Sequence, residues 1–169
     1  MAAPTGPGPA RAIDRLAALR ASTLLRGFTE VGLRILADAC EQRSVGRGAY
    51  AFRAGDESTA LLFLARGTVQ MMPREGGAPL GELGPGDSLG GFALLFGGEH
   101  LLTAQAATDL ELLALERTAW LALQKDKPRA ALKLELALAR DLCERLREAK
   151  GPLREFLAWQ VSRRPAEGR

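Results

Sequence analysis

Thirteen of the 19 glycines in this chain fall between Gly46 and Gly98, and none lies between Gly98 and Gly151. A stretch so often interrupted cannot sustain long helices. Its short apolar runs suit brief strands joined by tight turns. The glycine-free stretch that follows is rich in Ala, Leu, Glu and Arg, all good helix formers. The pattern predicts a mainly β body with helices before and after it.

Within that frame, strands are predicted over 42–45, 49–53, 60–65 and 68–73. They are separated by Gly46-Arg47-Gly48, Gly55-Asp56 and Arg66-Gly67. Glu75-Gly76-Gly77 reads as a hairpin tip leading to a strand over 80–83. Gly84-Pro85-Gly86-Asp87 is a turn by composition, and two more strands, 101–107 and 110–115, flank Thr108-Asp109. Ahead of the body, Ile13, Leu16, Ala17 and Arg20 suggest an amphipathic helix over 11–21. Thr29 is placed to cap a second helix over 30–40, with Leu33, Leu36, Ala37 and Cys40 on one face. A short helix is predicted over 118–124.

Pro128 suits the first turn of a long helix over 129–150, which Gly151-Pro152 stops or kinks. That helix carries two apolar stripes. Leu132, Leu136, Ala139, Cys143 and Leu146 form a heptad-like seam, while Leu134, Leu138, Leu142 and Ala149 lie on another face. One stripe covers the β body; the other calls for a partner, and a homodimer is expected through the seam of Leu132, Leu136, Ala139, Cys143 and Leu146. The alternative buries both stripes within one chain. The resulting domain plan is a disordered tail over 1–10, one domain over 11–150 including the long helix, and a short helical tail over 151–169.

Composition removes several functions. The chain has 169 residues, 23 Lys plus Arg against 20 Asp plus Glu, and only 5% aromatic residues. No basic run with interleaved aromatics exists to suit nucleic acid. Cys40 and Cys143 are too few for a disulfide framework or a cysteine zinc site, and they read as two buried thiols. The first ten residues lack the basic and apolar regions of a signal peptide, and no apolar run is long enough to span a membrane. A cytoplasmic location is expected. One histidine, no phosphate-loop motif and no recognisable metal-ligand spacing argue against an enzyme, so no catalytic residue, metal or cofactor is assigned.

With the order of strands and turns laid out, the residues resemble the cyclic-nucleotide-binding domain family of catabolite-activator-type regulators and cyclic-nucleotide-dependent kinases. The segments that carry the resemblance are 48–56, ending in Gly55-Asp56, and Leu62-Phe63-Leu64-Ala65-Arg66-Gly67-Thr68-Val69. Leu83-Gly84-Pro85-Gly86-Asp87-Ser88-Leu89-Gly90, Ala93-Leu94-Leu95 and Thr103-Ala104-Gln105-Ala106 follow at the family's spacing. The likeness runs from Leu24 to Lys150. It implies a double-stranded β-helix, or jelly-roll barrel, of eight strands flanked by helices, with one long C-terminal helix.

The resemblance also implies a cassette in which a cyclic phosphate rests on backbone N–H groups at the start of a very short helix, here Gly90, Gly91, Phe92 and Ala93. Orphan donors and a positive dipole end suit an anion. In the family a Glu just after the glycine accepts from the ribose, and an Arg some nine residues later pairs with the phosphate. Those positions here are Gly91 and His100, followed by Leu101. From Glu75 to Glu116 the chain holds seven acidic residues and no Lys or Arg, so no shift of register supplies the missing cation from this segment. Two charge-assisted hydrogen bonds at roughly 1.5–3 kcal/mol each amount to about a hundredfold to ten-thousandfold in affinity. Cyclic AMP and cyclic GMP are therefore expected to bind negligibly.

His100 would act as a cation only below its ordinary pKa near 6.5, and the plainer reading is a solvated loop histidine. Phe92, Phe96, Leu101 and Leu102 read as barrel core, or alternatively as groups that fill the pocket. Arg140, Asp141 and Glu144 are candidates to reach a nucleotide base, though they also fit a solvated helix face. The tail residues Leu153, Phe156, Leu157 and Trp159 form a stripe for a partner or for the domain itself. Family transcription factors carry a helix-turn-helix domain after the long helix, and the 18 residues after Gly151 are too few for one. The expected function is a stand-alone regulatory module acting through homodimerisation and protein contacts, not on DNA or a membrane. Two alternatives stay open: a sensor still binding a cyclic nucleotide or another ligand through the cassette amides, and a truncated regulator that pairs with a full-length relative.

Overall fold

The computed structural model describes residues 12–148, except for the side chains of Phe92, Ala93, Phe96 and Leu146. The predicted tails over 1–10 and 151–169, with Leu153, Phe156, Leu157 and Trp159, lie outside the described residues, as does Ala149. Thirteen elements follow in order: α1 (Arg15–Arg20), α2 (Glu30–Ala39), β1 (Glu41–Val45), β2 (Tyr50–Phe52), β3 (Ala60–Arg66), β4 (Val69–Met72), β5 (Gly81–Leu83), β6 (Ser88–Leu89), α3 (Gly91–Phe96), β7 (Thr103–Ala106), β8 (Leu110–Glu116), α4 (Arg117–Asp126) and α5 (Pro128–Glu148).

The strands form two antiparallel four-stranded sheets, ordered β1-β8-β3-β6 and β2-β7-β4-β5. Two sheets wound from alternate strands make the jelly roll. The first sheet explains the apolar runs of β3 and β8. Leu62, Leu64, Leu112 and Ala114 point between the sheets, while Leu61, Phe63, Leu113 and Leu115 point to the helices. A strand buried on both faces loses the polar alternation of a half-exposed one. Turn glycines close the hairpins. Gly67, at φ +89°, is fixed twice over, since a Cβ there would lie 2.3 Å from the Asp109 carbonyl oxygen.

The helices cover the outer face of this sheet. Thr29 caps α2 by accepting from the Gly32 N–H, and Leu33, Leu36, Ala37 and Cys40 are all buried. Helix α1 starts later than the periodicity predicts, because Asp14 accepts from the Ala17 N–H and sets the cap there. Its buried residue is Leu19, and Ala17 faces solvent. Pro128 opens α5. Ala131, Leu134 and Leu138 dock on the core around Leu61, Leu94 and Trp120.

The other stripe of α5 is uncovered. Leu132 is 55% and Leu136 59% exposed, and Ala139 and Cys143 also face solvent. Nothing among the described residues covers this stripe, and the C-terminal segment that could pack on it within one chain lies outside them. The reading of two buried thiols is overturned. Cys40 is buried, and burial pushes its thiol up to about 12 despite the lowering influence of Arg15, whereas Cys143 is exposed. Among the described residues no helix is long and apolar enough to cross a membrane.

Candidate functional site

The predicted cassette lies where the connection between β2 and β3 meets the segments before and after α3. Asp56 organises that connection, accepting at Oδ2 from the Arg53 N–H at 2.7 Å in a local turn. The turn then zips onto the segment that follows α3. Gly55 N–H donates to the His100 carbonyl, His100 N–H to the Asp56 carbonyl and Ser58 N–H to the Gly98 carbonyl, each at 2.8 Å. Thr103 Oγ1 accepts from Ala54 N–H at 3.0 Å. These bonds bring Ser58, Gly90 and His100 to one place.

Gly90 sits at φ +77°, and a Cβ built on it would lie 2.6 Å from the Ala60 carbonyl oxygen. The same point is 3.6 Å from His100 Cε1 and 3.7 Å from Ser58 Oγ. Only glycine fits a left-handed residue pressed against a neighbouring strand. Gly91 is glycine for a different reason. Its φ is outside the left-handed region, but a Cβ there would lie 2.6 Å from Leu138 Cδ2 of α5. That methyl is the tip of a flexible side chain, and its approach shows that α5 packs against the start of α3.

His100 does not project freely into solvent. Its ring stacks on Phe52 with centroids 3.6 Å apart and planes within 4°. Burial lowers its pKa below the ordinary 6.5, and the nearby Asp56 only partly opposes that. The solvated loop histidine is thereby corrected: the imidazole is half-buried and biased towards its neutral form. Leu101 is not barrel core, being 89% exposed beyond a strand that begins at Thr103. Leu102 is half-buried, while the side chains of Phe92, Ala93 and Phe96 lie outside the described set. Arg140 and Glu144 are exposed, and Asp141 is bonded to Arg145 at 2.8 Å, so these residues serve a polar helix face.

Three residues that the sequence reading passed over belong to this site. Leu138 appeared only as one member of an apolar stripe. Ser58 has a buried hydroxyl without a hydrogen-bond partner, and nothing in its sequence neighbourhood marks it. Arg117 bounds the cation-free window, yet its guanidinium folds back over the end of α3, with Nη1 2.6 Å from the Cβ position of Gly97. Among the described residues no three His, Cys, Asp or Glu side chains gather as a metal site.

Two wound antiparallel sheets, a Gly-Asp turn leading into a six-residue helix, and a long helix packed over it define a regulatory jelly-roll domain. The chain belongs to the cyclic nucleotide-binding domain family, whose model matches residues 42–127. It is 35% identical over 148 residues to the cyclic AMP receptor protein of Thermus thermophilus, covering 86% of this chain and 66% of that protein. The crystal structure of Thermus thermophilus catabolite activator protein superposes with a TM-score of 0.63 at 35% identity, over 75% of this chain and 61% of that one. The N-terminal domain of a transcriptional regulator from Streptomyces coelicolor gives a TM-score of 0.67 at 24% identity, over 79% of this chain and 98% of that domain. The last likeness bears on fold alone. This chain thus spans about two thirds of the Thermus relative.

Proposed function

We propose that this protein is a regulatory module of the cyclic nucleotide-binding fold that does not respond to cyclic AMP or cyclic GMP, and that acts as a homodimer through the exposed stripe of α5. The observation that carries this reading is that Gly91 and His100 stand at the two cassette positions where the family carries a Glu and an Arg, within a stretch from Glu75 to Glu116 that holds no Lys or Arg. A cyclic nucleotide is a poor fit to the residues present. The ribose-accepting carboxylate is absent, since position 91 is glycine. The cation position holds His100, which burial biases towards neutrality instead of the positive charge a phosphate requires.

The output side follows from the same helix. Leu132, Leu136, Ala139 and Cys143 repeat at spacings of four, three and four on its solvent face. Such a seam is suited to a second copy of itself, since a heptad stripe packs best against a matching stripe. Further protein partners would read the dimer rather than a bound nucleotide. A thermal-shift series with cyclic AMP and cyclic GMP tests the first half: no rise in Tm at millimolar nucleotide is expected, because only a ligand that binds the native state raises it.

A second reading has one observation in its favour. The Ser58 hydroxyl, in a residue only 2% exposed, is unpartnered and lies 3.7 Å from the Cβ position of Gly90. Buried hydroxyls normally find a partner, and a small ligand on the cassette amides would supply one. The same thermal-shift series, extended to small anions, separates the two readings. Stabilisation lost in Ser58→Ala would favour the sensor.

A further inference from the structure

We propose that the chain's own segment after α5 folds back onto the end of that helix, laying Leu153, Phe156 and Leu157 over Cys143, and so contests part of the seam with a second copy. This rests on the reading that the exposed stripe of α5 is where two copies meet. It goes further by naming what governs the meeting.

The end of α5 stands clear of the domain. Leu138 is the last residue of the described helix that is buried, and every described side chain from Cys143 to Glu148 is exposed. The domain therefore offers no cover to the seam at Cys143. The nearest apolar groups along the chain are those of the segment that follows.

Gly151-Pro152 comes directly before those groups. Proline lacks an N–H and clashes with the preceding turn, so it ends a helix, and short connections of this kind join antiparallel helices. Beyond it, Leu153, Phe156 and Leu157 recur at i, i+3 and i+4, one face of a helix. A helix over 153–161 is about 13 Å long. Laid back along α5, it reaches Cys143 and stops short of Leu136 and Leu132. Those two leucines, 59% and 55% exposed, are left to the second copy. A segment tethered this closely meets α5 at an effective concentration on the order of millimolar, which a second copy does not match in dilute solution. It therefore weakens self-association without abolishing it.

Maleimide labelling of Cys143 on the full 169-residue chain tests the fold-back. Cys40 stays silent, being buried with its thiol pushed up to about 12. Rates extrapolated to infinite dilution remove any shielding by a second copy. Phe156→Glu with Leu157→Glu is expected to label about tenfold faster than the native chain, and to self-associate about tenfold more tightly in sedimentation equilibrium. If that variant does not fold, Leu153→Ser is read the same way with a smaller acceleration. Equal labelling rates at infinite dilution would overturn the fold-back whatever the oligomeric state. So would weaker self-association in the variant, since the segment would then serve the second copy. A native chain that is monomeric at every concentration, with labelling still faster in the variant, would instead sink the homodimer reading and leave the fold-back standing.

Discussion

The His100 imidazole shows how a single environment sets the chemistry of the site. Stacked on Phe52 and partly desolvated, it is harder to protonate in the folded chain than in the unfolded one. Between the lowered folded pKa and 6.5 the unfolded state therefore binds more protons, so stability is complete above 6.5 and falls as pH drops through that window. Urea midpoints measured from pH 7.5 downward are expected to decline below 6.5 in the native chain, and less steeply in His100→Gln. An equal decline in both would show that other groups carry the acid sensitivity. Gly67 offers a steric counterpart. Its positive φ and the Asp109 carbonyl 2.3 Å from its Cβ position predict that Gly67→Ala costs about 2 kcal/mol or more in chemical denaturation. The glycine turns were legible because a residue without Cβ leaves a compositional mark. Ser58 and the Phe52–His100 stack were not, because each depends on segments more than 30 residues apart meeting in space.

At the scale of elements, α5 carries the main contrast. Leu136 and Leu138 are two residues apart and face opposite environments. Leu138→Ala is expected to cost about 2–4 kcal/mol of folding stability through a cavity beside the cassette. Leu136→Ala is expected to stay within about 0.5 kcal/mol for the isolated fold, and to act on self-association instead. Equilibrium unfolding of both variants at low protein concentration reads the difference. The two stripes of this helix were visible in the sequence because the 3.6-residue period separates them. The heptad spacing assigned Leu132, Leu136, Ala139, Cys143 and Leu146 to a partner, whereas the contact of Leu138 with the cassette was not visible because it joins residues far apart in sequence. β6, two residues long, is too short for any periodic signal. β7 begins two residues later than its apolar run suggests, because Leu101 and Leu102 precede the ladder.

At the scale of the molecule, the jelly roll and its helical cover were readable from glycine spacing, the family's turn motifs and the two doubly buried strands. The relation between cassette and long helix was not, because it joins residues 91 and 138 across the whole barrel sequence. The dimer belongs to this scale as well. Sedimentation velocity at micromolar concentration is expected to give twice the chain mass of 18.1 kDa, and Leu132→Glu with Leu136→Glu to give a folded monomer. A monomeric native chain would leave the exposed stripe for a different protein. The central claim, that the fold has kept its cassette while giving up its nucleotide, is tested most directly by titration calorimetry of the full chain with cyclic AMP. The account predicts no heat of binding up to about millimolar ligand, in line with the hundredfold or greater loss expected from two missing charged contacts. A saturable isotherm with a micromolar Kd would contradict it.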